Sequence, residues 1–144
     1  MITIKITLKH GAKKPDYLTP SASGADIYTF LDEPVTLQPF QRALIPTGLS
    51  IELPPGYEAQ IRPRSGLAIN HGISLLNTPG TIDADYRGEI QLIVINLGEK
   101  PFTIENNMRI AQMIIAQTVP ATFTVVAELS DTKRNDGGFG HTGL

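Results

Sequence analysis

With 144 residues, 41% hydrophobic and 18% charged, the chain is long enough to bury a core without staples and too apolar to be disordered. Twelve Lys and Arg against fourteen Asp and Glu give a formal charge of −2, so no global positive field argues for nucleic acid as a partner. The lack of cysteine excludes a disulfide framework and cysteine-based zinc sites.

The N-terminus alternates Ile2, Ile4, Ile6 and Leu8 with polar residues, which predicts a half-buried strand and not a signal peptide. Charges or prolines interrupt every apolar run, so a membrane partner is not expected and a cytoplasmic location is. Residues 11–20 read as loop. Ala25 to Tyr28 and Val35 to Leu37 read as short strands. Leu44 to Leu53 and Tyr57 to Ile61 flank the turn Pro54-Pro55-Gly56. Ser65 to Ile69 is the one place for a helical turn, with Ser65 as its cap. Ile90 to Leu97 is apolar almost throughout, which predicts a strand covered on both faces. Ile110 to Val119 also fits helical spacing, but its strand-rich surroundings favour a strand. Thr122 to Leu129 reads as a last strand. Thirteen glycines and eleven prolines punctuate about ten such segments, an all-β sandwich or barrel. After residue 129 the composition turns glycine-rich, so residues 1–129 are expected to form the body and 130–144 an arm.

Five stretches concentrate polar chemistry. Ser23-Gly24-Ala25-Asp26 joins a glycine that permits an unusual backbone angle to an acid that could hold water around a metal ion; an ordinary Asx turn serves equally. Pro63-Arg64-Ser65-Gly66-Leu67-Ala68 sets an arginine, a hydroxyl and free N–H groups at a helix start, an anion site or simply a helix start beside a solvated arginine. Thr78 to Glu89 lies between apolar runs and reads as a hairpin or broad loop. Its Asp83 and Asp85 would share a face if extended, and one held carboxylate could act as a general base. Gln112, within Arg109-Ile110-Ala111-Gln112-Met113, needs a partner if buried, from backbone or ligand. Arg134 to Gly143 lacks the lysine of a Walker loop, yet its Phe139, Arg134 and glycines could fold over a nucleotide. By composition alone it is a bare tail. His10, His71 and His141 are not spaced as metal ligands.

In this order, the five stretches resemble the five motifs of the trimeric deoxyuridine triphosphatase (dUTPase) family, from Ser23 to Gly143. The resemblance implies a distorted jelly roll or β-barrel with one short helical segment and a C-terminal arm. It implies hydrolysis of dUTP to dUMP and pyrophosphate, which limits uracil in DNA and supplies dUMP for dTMP synthesis. Asp83 would activate the attacking water. Asp26 would act through water on Mg2+ held mainly by the substrate phosphates. Arg64, Ser65, Gly66, Gln112, Arg134, Gly140 and His141 would hold the phosphates. Asn77, Gly80, Thr81 and Ile82 would face uracil, Tyr86 the deoxyribose, and Phe139 would close over the base. The resemblance further implies a homotrimer with shared sites, completed by a neighbour's arm.

Three positions depart from the family pattern. Asn135 stands where a glycine is usual, which its tolerance of left-handed angles should make mild. His141 replaces a common serine and predicts pH-sensitive substrate affinity, removed in His141→Ser. Ser23 replaces an alanine. The rival enzyme of this fold, a dCTP deaminase, is disfavoured by Asp83 and the phenylalanine of the tail; a dUTP-binding regulator would not need the full catalytic set.

Overall fold

The computed structural model describes residues 2–138. Among them eleven strands and one helix follow in chain order. They are β1 (Lys5–Leu8), β2 (Ala25–Tyr28), β3 (Val35–Leu37), β4 (Arg42–Pro46), β5 (Leu49–Glu52), β6 (Tyr57–Pro63), α1 (Ser65–His71), β7 (Ile73–Leu75), β8 (Gly80–Ile82), β9 (Gln91–Asn96), β10 (Phe102–Ile104) and β11 (Arg109–Gln117). The all-β expectation holds. The strands pair antiparallel in four small sheets of jelly-roll type and not in a closed barrel.

Period-2 patterning builds the core. Ala59 and Ile61 of β6 point inward while Glu58, Gln60 and Arg62 point out, the last three linked side chain to side chain. Ile27, Ile45, Leu49, Leu92, Val94, Ile104 and Ile110 are almost wholly buried. β9 departs from its expected double cover: Leu92, Val94 and Asn96 are buried, but Ile93 and Ile95 are only half covered. In β1, Ile6 and Leu8 are more exposed than their alternation predicts.

The four-stranded sheet runs β2-β11-β6-β8, which puts β2 and β8 at opposite edges. The stretch from 110 onward, ambiguous in sequence, is its longest strand, paired on both sides. β7 and β8 do not form a hairpin. β7 pairs with β9, the two apolar runs that flank residues 78–89, whereas β8 within that connection crosses to β6, so the stretch is the broad-loop alternative.

The expected last strand, Thr122 to Leu129, is not one. No strand follows β11 among the described residues, and Phe123, Val125 and Leu129 are 94%, 99% and 88% exposed. Both edges of β11 are already taken, and among the described residues this apolar segment pairs with no strand.

Candidate active site

The first cluster forms where β2, β11 and the start of α1 converge. Asp26 on β2 faces Gln112 on β11, which faces Arg62 on β6. The Asp26 side chain is 11% exposed, and its carboxylate sits 3.2 Å from Arg64 Nε and 3.2 Å from Arg109 NH1. Arg64 NH1 donates to the Arg109 carbonyl at 2.9 Å, which aims the guanidinium along the sheet end. Gln112 Nε2 donates to the Pro63 carbonyl at 3.0 Å, so its half-buried amide is met by backbone. Gly24, Asp26, Arg64, Ser65, Gly66 and Gln112 line one cavity of about 270 Å³.

Two local expectations change. Ser65 is the first residue of α1; the cap position is Arg64, in extended conformation and without a side-chain capping bond. The first turn therefore leaves the N–H groups of Ser65, Gly66 and Leu67 without intrahelical acceptors, since the earliest bond runs from Ala68 N–H to the Arg64 carbonyl. Gly24 is also needed for a different reason. It has no positive φ; instead a Cβ there would collide with Gln112 Oε1.

The second cluster surrounds the turn after β8. Tyr86 N–H donates to the Asp83 carbonyl at 3.2 Å, so residues 83–86 turn and are not extended. Asp83 and Asp85 consequently part company. Asp83 lines a cavity of about 280 Å³ with Thr81, Ile82, Tyr86 and Glu89, whereas Asp85 lines another with Lys5, Glu52 and Arg87. Asn77 is exposed, and its amide lies beside Gly80. Arg87 NH1 donates to the carbonyls of Ala84 (2.6 Å) and Tyr86 (2.9 Å) and holds the turn shut.

Glu89 and Lys9 were not among the candidate site residues from sequence, being far apart in the chain. Their side chains meet at 2.6 Å. Partial burial pushes the Glu89 carboxyl up, but hydrogen bonds from Lys9 and from the Gly48 and Thr47 backbone outweigh it, so it titrates below the usual carboxylate range.

The two clusters stand apart. Asp83 follows Ile82, which is level with Ala59 and Ile115, while Asp26 is level with Gln112. Three inter-strand steps across and about four residues along place their backbones on the order of 20 Å apart. Arg134 lines neither cavity, its Nε donating to the Gly137 carbonyl at 2.7 Å. Asn135 adopts φ 42°, the left-handed conformation its replacement of a glycine calls for. Phe139, Gly140 and His141 lie outside the described residues.

A dUTPase family model matches residues 11–143. This chain belongs to the dUTPase family. The deoxyuridine 5'-triphosphate nucleotidohydrolase of Chlamydia pneumoniae is 56% identical over 143 residues, 99% of each chain. That of Caldanaerobacter subterraneus subsp. tengcongensis is 58% identical over 146 residues, again 99% of each. The fold matches that of a Staphylococcus bacteriophage 80alpha dUTPase with dUPNHPP, with a TM-score of 0.90 at 24% identity over the whole of both chains. It also matches a mutant dUTPase from phage phi11 of S. aureus that coordinates a structural Mg(II) ion (TM-score 0.81, 21% identity, 90% of this dUTPase and 100% of that chain). No helix among the described residues is long and apolar enough to cross a membrane.

The donor set around Asp26 bears on how this dUTPase could meet a metal. Among the described residues no three His, Cys, Asp or Glu side chains gather, and Asp26 is the one carboxylate in its cavity. A single hard oxygen donor fits Mg2+ that keeps water and is gripped by phosphates; it does not fit a protein-caged ion.

Proposed function

We propose that this dUTPase hydrolyses dUTP to dUMP and pyrophosphate in sites shared between copies of the chain. The observation that carries the reading is the pairing of an acid-bearing turn with an arginine- and amide-lined cavity, held on opposite edges of one sheet. Asp83 takes a proton from a water as its oxygen forms a bond to the α-phosphorus. The bond from that phosphorus to the α,β-bridging oxygen breaks in line, and the electron pair leaves with pyrophosphate. Arg64, Gln112 and the first N–H groups of α1 orient the phosphate chain and offset its charge. Asp26 would reach Mg2+ through water, and the ion, when bound with the triphosphate, would supply further charge neutralisation.

Edge position supports the base-recognition reading. Among the described residues β8 pairs with β6 on one side only, an edge whose outer backbone groups could meet the hydrogen-bonding edge of uracil beside Asn77. The path past Gly80, Thr81 and Ile82 leads to Tyr86, which would pack against deoxyribose and exclude a 2′-hydroxyl. Arg134, Phe139, Gly140 and His141 of the arm would close over base and phosphates.

Separation supports the shared site. An acid about 20 Å from the groups that hold the phosphates and metal cannot reach the same α-phosphorus within one chain, so a second copy must bring its Asp83. Two surfaces await such a copy. The segment with Phe123, Val125 and Leu129 is exposed, and Ile2, Ile4, Tyr17, Leu18 and Ile115 line a hollow of about 760 Å³. A homotrimer, with the arm of a third chain completing each site, accounts for all of these.

Product analysis with Mg2+ and, separately, dUTP, dTTP, dCTP and UTP tests the reading. Pyrophosphate and dUMP from dUTP alone, lost in Asp83→Asn, is the expected result. Ammonia from dCTP, or binding of dUTP without turnover, would overturn it.

A further inference from the structure

The segment that ends the acid-bearing turn is pinned at its far side by groups that lie outside the phosphate cavity and far from one another in the chain. Glu89 Oε1 accepts from Gly48 N–H at 2.8 Å, and Oε2 accepts from Lys9 Nζ at 2.6 Å. Lys9 N–H donates to the Gly48 carbonyl at 2.8 Å, so the two partners of the carboxylate are themselves tied. Beside it, Ile90 N–H donates to the Leu49 carbonyl at 2.8 Å, and Thr47 Oγ1 donates to the Ile90 carbonyl at 2.6 Å. The Glu89 side chain is 18% exposed and that of Lys9 57%, so the carboxylate end is partly shielded, with its bond to the Gly48 backbone, while the ammonium stays in water.

The opposite end of the same residue holds the tyrosine. Tyr86 Oη donates to the Glu89 carbonyl at 3.1 Å, which folds the ring back over Gly88. A Cβ at Gly88 would collide with that hydroxyl, so the residue between them must be bare for the ring to lie there. Tyr86 is 44% exposed, and its hydroxyl is held by the Glu89 carbonyl.

We propose that Glu89, fixed by Lys9 and Gly48, is a positioning residue for sugar selection, holding Tyr86 where it rejects a 2′-hydroxyl. Glu89 touches no substrate atom in this scheme. It transmits the position of the β4–β5 turn to the tyrosine ring, and Lys9 sets the carboxylate. The inference rests on the reading of Tyr86 as the residue against deoxyribose.

The test is the ratio of kcat/KM for dUTP to that for UTP. Glu89→Gln, which keeps an acceptor for Gly48 but loses the ion pair, and Lys9→Met, which removes it from the other side, should each lower the ratio by about tenfold, the order of one charge-assisted hydrogen bond. Tyr86→Phe should lower it comparably, and Tyr86→Phe combined with Glu89→Gln should add little. Lys5→Met, which breaks the exposed Lys5–Glu52 pair elsewhere on β1, serves as the control and should leave the ratio unchanged. A merely structural role would lower both substrates' rates together and leave the ratio intact, and that result would overturn the inference. Tyr86→Ala separates the two levels. If it leaves the ratio unchanged, the reading of Tyr86 fails. If it relaxes the ratio while Glu89→Gln and Lys9→Met do not, the clamp alone fails.

Discussion

The side chain of Gln112 lies over Gly24 so closely that a Cβ on residue 24 would sit within 3.3 Å of the Gln112 Cβ and collide with its Oε1. Gly24→Ala must therefore push the amide off the Pro63 carbonyl. Because the displaced group is the end of a flexible side chain, the fold is expected to survive while phosphate binding suffers. KM for dUTP should rise by about tenfold or more, the order of one lost hydrogen bond to a charged group. Gln112→Ala introduced into Gly24→Ala should add little, and a double-mutant cycle on KM checks this.

Mixing tests the shared site. Asp83→Asn and Arg64→Ala chains should each be nearly inactive alone. Unfolded together in equal amounts and refolded, they should recover about a quarter of wild-type activity, because random assembly gives that share of sites two intact halves. No recovery would mean that both halves come from one chain.

The exposed apolar segment carries a prediction about assembly. Phe123→Asp together with Val125→Asp should cost several kcal/mol of association, at about 1.5–3 kcal/mol for each buried side chain. Sedimentation velocity should then show a shift toward single chains. An unchanged oligomer would remove these residues from the interface.

Glu89 gives a pH signature. Its folded-state carboxyl titrates below the ordinary range, so its contribution is fully present above the unfolded value and disappears as pH falls through the folded one. Glu89→Gln should thus be less stable than the parent at neutral pH by about 1 kcal/mol, and the two should converge in acid. Denaturant melts from pH 7 down to pH 2 measure the gap directly.

Asn96 offers a stability test remote from catalysis. It is fully buried, donating to the Leu37 and Lys100 carbonyls at 2.9 and 2.8 Å and accepting from Gly98 N–H at 2.9 Å. Asn96→Leu strands three backbone groups and should cost about 3 kcal/mol in urea unfolding.

The sequence reading succeeded where an element depends on its own chain neighbourhood. The turn Pro54-Pro55-Gly56 located the β6 strand beside it, and five ordered motifs located the family to which the chain belongs. It failed where the answer lies across space. Thr122 to Leu129 carries a strand's composition, but composition does not say that no described strand offers it an edge. Asp83 and Asp85 share a face only if extended, and the turn closed by Arg87 sends them into different cavities. Glu89 and Lys9 lie eighty positions apart, with no local pattern that couples them. Gly24 was rightly singled out, but its reason, a side chain arriving from β11, is visible only in three dimensions.

In the shared-site scheme proposed above, the opposite-edge arrangement of Asp26 and Asp83 would make dilution an inhibitor. A chain that owned two halves of different sites would have no catalysis to retain when it dissociates. Turnover per chain should therefore fall steeply below the assembly concentration, at saturating substrate and with every side chain intact. The amount of protein in a compartment would set not only how much enzyme there is but whether each molecule counts as one.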